Sequence, residues 1–184
     1  SKFVMMFDKP KTKPTLTKLD QLFIDHIEDM TQNADKSYET YDFNHPAQDL
    51  RKFLWDTFAS NYIELVKNRA YNENKNFTDE ESTSAKYTLH FLLERFLTLI
   101  YPIIPQVTTL IAKEKGIDLL NSEWPKAELG KSNLELIEKL IEFNSKVWKE
   151  KKEKGISLRN PIEGIEIPKE LSEFEKDLKA CHKI

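Results

Sequence analysis

The sequence predicts an all-α fold, an antiparallel helix bundle with a small C-terminal strand–helix appendage. Three observations predict it. Glycine is scarce, four in 184 residues, while Leu, Ile, Glu and Lys dominate, a set of good helix formers. Apolar residues recur at three- and four-residue spacing through most of the chain, the period of a buried helix face. Capping and stop signals divide that pattern into separate helices.

Residues 1–15 read as extended and irregular, because Pro10 and Pro14 lie among lysines. Thr17 caps the first helix, with Asp20 in its first turn. Leu19, Leu22, Phe23, Ile27, Met30, Ala34, Tyr38 and Tyr41 form its inner face. A short turn at Asp42–Phe43 leads into residues 43–71, one long helix with Asn44 as cap and Pro46 in the first turn. Leu50, Leu54, Phe58, Asn61 and Leu65 make its stripe, and Phe53, Trp55, Tyr62 and Val66 broaden it, so this helix is expected at the centre of the bundle. Thr78 with Glu81 three residues later is a capping box opening the third helix, whose core includes Leu92 and Phe96. Pro102 and Pro105 break it, and a shorter helix follows, closed by Gly116. Residues 117–131 connect to a helix capped by Ser132 with Glu135, buried through Ile137, Leu140, Ile141 and Asn144, and stopped by Gly155. Ile162, Ile165 and Ile167 suggest a short strand, and residues 169–180 a last helix.

Composition excludes several classes. No apolar run approaches the ~20 residues that span a bilayer, and the apolar start at residues 1–7 is too short for a signal peptide. Its abruptness suggests a piece cut from a longer chain. A single cysteine, Cys181, allows no internal disulfide and fits a reducing compartment. The net charge is −3, but residues 2–18 and 146–159 each carry +4 and the remainder −11, so two basic segments sit on an acidic body. None of the four histidines has metal-ligand spacing, and no nucleophile–base pair or glycine-rich phosphate loop is present, so the chain reads as non-catalytic. What remains is an aromatic and basic bundle. Arg51, Trp55, Lys67 and Arg69, with the lysines before Gly155, have the side-chain types that stack on single-stranded bases and hold phosphates. Trp55, Phe58 and Tyr62 at helical spacing are more often core residues than base platforms. A broad apolar face docking a partner helix is the alternative function.

The stretch F-L-W-D-x-F-x-x-x-Y-I-E-L-V-K-x-R at residues 53–69 resembles the core helix of the anticodon-binding domain of class I valyl-tRNA synthetases. Further pieces are similar to that family: Tyr38, Tyr41, Asp42 and Phe43 at a helix turn, Y-P-I-I-P-Q-V-T from Tyr101, S-E-W-P from Ser122, and K-E-K-G-I-S-L-R-N-P-I from Lys152, which resembles the archaeal type. The chain departs from the family at Ser60-Asn61 and Thr109. The resemblance implies a linker tail over 1–15, an anticodon-binding bundle over 16–155 and a small C-terminal α/β subdomain over 156–184, truncated at its end. It implies a cytoplasmic protein that binds valine-accepting tRNA through Arg51, Trp55, Lys67, Arg69, Lys146, Lys149, Lys152 and Arg159. Catalytic and editing domains would belong to the same polypeptide. No cofactor is expected in this chain, and ATP and Mg would serve the parent enzyme, whose two signature sequences are absent here.

Overall fold

The computed structural model describes residues 1–128 and 132–184. Its helices are α1 (Lys2–Met5), α2 (Lys18–Glu39), α3 (Asn44–Lys52), a π-helical segment (Phe53–Tyr62), α4 (Ile63–Tyr71), α5 (Asp79–Ile100), α6 (Pro105–Glu114), α7 (Leu134–Glu153), a 3₁₀ turn (Lys169–Phe174) and α8 (Glu175–His182). The bundle is all-α, as the composition predicts.

The local signals place most boundaries. Thr17 Oγ1 accepts from the Asp20 amide at 3.3 Å and opens α2. Thr78 and Glu81 close a reciprocal capping box at α5, with bonds of 3.1 and 2.7 Å. α5 stops at the Pro102–Pro105 break, and Gly155 follows α7 at φ +66, a conformation glycine adopts without strain. Two caps fall one or two residues from their expected places. At α3 the N-cap position falls on Phe43 and the capping side chain is that of Asp42 before it, not Asn44: Asp42 Oδ1 accepts from the Asn44 and His45 amides at 3.0 and 3.2 Å. At α7 the cap is Asn133, not Ser132, with Asn133 Oδ1 3.1 Å from the Leu136 amide.

Two expectations fail. Residues 1–15 are not wholly irregular, because Phe3, Phe7 and Tyr71 pack edge to face with ring centroids 5.0–6.0 Å apart and fold the chain into α1. No strand is present among the described residues. Residues 162–167 run irregularly over the bundle, Ile162 is buried, and its amide bonds the Lys183 carbonyl at 3.2 Å rather than a β partner. The connector 117–131 is likewise without helix as far as residue 128, and its last three residues lie outside the described set.

The long helix of residues 44–71 is continuous but changes pitch in its middle. Asn61 Nδ2 donates to the Asp56 carbonyl five residues back, at 2.6 Å. The wider turn lets rings five and four residues apart overlie: Phe53 stacks on Phe58 at 6.0 Å and Phe58 on Tyr62 at 6.2 Å. On an ordinary helix a five-residue step rotates a side chain about 140° away. The π segment therefore resolves the over-wide apolar stripe by drawing three rings onto one side, where Leu50, Phe96 and Leu92 complete the core. Leu54 and Ile141, expected in the core, pack against its edge.

Polar links tie the layers together. Arg69, on α4, is 1 % exposed. Its guanidinium grips both oxygens of Asp20 on α2 at 2.7 and 2.8 Å, and its Nε donates to Asp177 on α8 at 2.9 Å. Asn61 accepts from Asn144 of α7 at 2.8 Å, and Asn144 Oδ1 faces His182 Nε2 at 2.7 Å. Lys151 is fully buried, and its ammonium donates to the carbonyls of Leu158, Asn160 and His182 at 3.2, 2.7 and 2.6 Å, which occupies all three of its protons.

Arg69→Met should destabilise the fold by about 3–5 kcal/mol, because two carboxylates stay buried without their cation; chemical denaturation measures it, and a loss below about 1 kcal/mol would contradict the buried pairing. Burial, with Lys151 nearby, pushes His182 down to about 4. The unfolded chain then binds the extra proton below about pH 6.5, so His182 withdraws stability as pH falls from about 6.5 to 4, on the order of 3 kcal/mol in all. Burial pushes Asp177 up to about 6, which acts in the opposite sense over a similar window. His182→Gln should therefore lose less stability on acidification than the wild type, and parallel pH curves would refute the buried neutral ring.

Candidate nucleic-acid interface

The pitch change that buries Phe53, Phe58 and Tyr62 leaves Trp55 outside. Trp55 is 63 % exposed on the outer side of the π segment. Arg51 lies one turn earlier, also exposed, and both line an open groove of about 690 Å³ with Gln48, Lys52, Asp56 and Ser60. A flat indole beside a guanidinium and an ammonium is chemically suited to stack on a base and to meet phosphates within one helical turn. The Gln48 amide and Ser60 hydroxyl add groups able to bond base edges.

α7 runs alongside the long helix in the same direction. Leu134 and Ile137 share a cleft with Asp49 and Leu50, Asn144 bonds Asn61 further along, and Lys151 reaches the end of α8, which packs along α4. Lys149 and Lys152 are exposed on the last turns of α7, Lys149 in loose contact with Glu153 at 3.9 Å. Lys146, Lys149 and Lys152 recur every third residue, so they fan over about 120° of the helix surface. Lys146 consequently lines a separate groove with Glu142, Glu166 and Glu170, an acidic setting. Arg159 is exposed in the loop that Lys151 anchors, and Lys67 is half-exposed and paired with Glu64 on its own helix.

Arg69 is the correction. It cannot meet an external ligand, because it is buried and its guanidinium is held by Asp20, Asp177, Thr17 Oγ1 at 3.2 Å and the Glu81 carbonyl at 3.1 Å. Sequence reasoning placed it beside Lys67 as a second surface cation, since its partners are remote in the chain. The converse omission is Lys151, read within a surface lysine run. Its spacing of seven from Asn144 puts it on the buried stripe, which was a usable signal. Gln48 and Ser60, which complete the Trp55 groove, carried no signal of their own. Among the described residues no group of His, Cys, Asp or Glu could hold a metal ion, and no helix is long and apolar enough to cross a membrane.

A family model for the anticodon-binding domain of tRNA ligases matches residues 20–167. The chain is 35 % identical over 188 residues to a valine–tRNA ligase of Pyrobaculum aerophilum, covering all of this chain and 24 % of that protein. It is 34 % identical over 197 residues to a valine–tRNA ligase of Aeropyrum pernix, covering all of this chain and 23 % of the relative. A valine–tRNA ligase of Nanoarchaeum equitans is 39 % identical over 178 residues, covering 94 % of this chain and 21 % of its own. This chain belongs to the anticodon-binding domain family of tRNA ligases. It spans about a quarter of the length of these valine–tRNA ligases.

Trp55→Ala should leave the thermal midpoint nearly unchanged, with stability within about 0.5 kcal/mol of wild type, as for other exposed sites. A loss of several kcal/mol would mean the indole is a core residue.

Proposed function

We propose that this chain grips the anticodon stem-loop of a valine-accepting tRNA, as the anticodon-binding part of a valine–tRNA ligase. The observation that carries this is Trp55 exposed beside Arg51 on a helix that otherwise buries its rings, in a chain of the anticodon-binding family. One unstacked base would lie on Trp55, with Arg51 and Lys52 on the flanking phosphates and Lys149, Lys152 and Arg159 holding the adjoining strand. Lys67 would contribute where the RNA draws it from Glu64. Lys146 sits among carboxylates and would add the least.

The division into a linker tail (1–15), a bundle (16–155) and a C-terminal subdomain (156–184) belongs to the same proposal, as do a cytoplasmic setting and catalytic and editing domains elsewhere in the polypeptide. Those domains would use ATP and Mg, and this chain would need no cofactor. Its share in aminoacylation would be positional: energy from the anticodon contact helps fix the acceptor end at a distant active site. A helix-docking module is the second reading, favoured by Ile104, Val107 and Leu110, which α6 and the residue before it leave exposed in one row. Self-association through that row, with no affinity for RNA, would prefer it.

Binding of the anticodon stem-loop should weaken roughly tenfold between about 50 and 200 mM salt, as a few phosphate contacts require. Lys149→Glu with Lys152→Glu should flatten that slope while helical content is retained. Salt-independent binding would remove the lysines from the interface.

A further inference from the structure

A second cleft adjoins the Trp55 groove and has a different chemistry. It lies between α2, the junction of α3 with the π segment, and α7, and encloses about 230 Å³. Its floor is apolar and buried, formed by Leu50, Phe53 and Ile137 at 1 % exposure each. Its rim carries the carboxylates of Asp29, Asp49 and Glu138, all exposed. Asp49 and Lys52 line both this cleft and the Trp55 groove, so the two are separated by a single helical turn of side chains. In its wall His26 faces the Phe53 ring at 5.8 Å, and its Nδ1 is buried without a hydrogen-bond partner among the described residues. Burial lowers the basicity of His26, so the ring meets a ligand as a neutral imidazole.

These properties select the occupant. The volume lies below the ~300 Å³ at which pockets begin to enclose a whole small ligand, yet admits one planar ring system. Three carboxylates against one lysine repel a phosphate and favour a group that donates protons, and carboxylates accept from the exocyclic amines of bases. The apolar floor and the Phe53 edge suit a ring face. Continuity with the Trp55 groove supplies the backbone path: a strand held at Arg51 and Lys52 can leave one base on the indole and turn its neighbour over the Asp49–Lys52 wall.

We propose that this cleft receives a single unstacked nucleobase bearing an exocyclic amine, adjacent in the RNA to the base on Trp55. The inference rests on the stem-loop binding proposed above and adds a second base-reading position with acceptor specificity.

The test is a set of anticodon stem-loops with an abasic site at each loop position in turn, bound to the wild-type 184-residue chain, to Leu134→Trp and to Glu138→Gln. Leu134 is half-exposed at the cleft mouth, so a larger side chain can cover the opening without entering the core. At one position, removal of the base should weaken wild-type binding roughly tenfold and Leu134→Trp binding less than about twofold. At that same position an analogue lacking only the exocyclic amine should discriminate wild type from Glu138→Gln. Trp55→Ala should couple to a neighbouring position instead. Equal abasic penalties in wild type and Leu134→Trp at every position, with the Trp55 coupling intact, would overturn the cleft assignment alone. No affinity for any stem-loop would overturn it together with the function on which it rests.

Discussion

The ion pair between Arg69 and Asp20 is the constraint on which the other elements depend. Asp20 accepts four bonds, two from Arg69, one from Tyr62 Oη at 2.6 Å and one from the Ser84 hydroxyl, which fills the capacity of a carboxylate. Through it α2, the π segment, α4 and α5 meet at one point, and Asp177 adds α8. Removing two charges from water is expensive, and only such complete satisfaction offsets it. Arg69 remains charged: burial would lower its basicity, but Asp20 and Asp177 raise it above the usual value. Asp177 is the softer partner, pushed upward by burial against the pull of Arg69. The pair thus fixes the rotation of α4 about its axis, and with it the register of the π segment that α4 continues.

That register decides which aromatic residue is available. Phe53, Phe58 and Tyr62 are committed inward, and Tyr62 is held there twice, by stacking on Phe58 and by its bond to Asp20. Trp55 is the ring left over. A ring that is to stack on a nucleotide, as proposed for Trp55, needs a rigid base, because an indole free to change rotamer gains little by ordering its ligand. The Asn61–Asn144–His182 chain and the triply bonded Lys151 extend the same rigidity to α7 and to the loop carrying Arg159.

Much of the fold was legible because its signals are local. Thr17, the Thr78–Glu81 box, the Pro102–Pro105 break and Gly155 each act within one turn of the chain, and helix ends follow them directly. Capping side chains such as Asp42 and Asn133 slipped by a residue or two because several competent oxygens lie side by side there. The π segment was not legible. Its stripe is visible as too many aromatics for one face, but the choice of which to bury depends on α7 and α5, far away in sequence. The burial of Arg69 was hidden for the same reason, since Asp20 and Asp177 are 49 and 108 residues distant. In the candidate site, Arg51 and Trp55 at a spacing of four were readable as neighbours. The turning of Lys146 away from Lys152 follows from helix geometry alone.

In the proposed function RNA meets the outer face of the π segment, bounded by the last turns of α7. Amide chemical-shift mapping during titration with an anticodon stem-loop addresses it most directly. Perturbations are expected to concentrate between residues 48 and 60 and at 149–152, with the Arg69 side chain undisturbed. Perturbations centred on α6, or on the groove of Lys146 and Glu166, would contradict it.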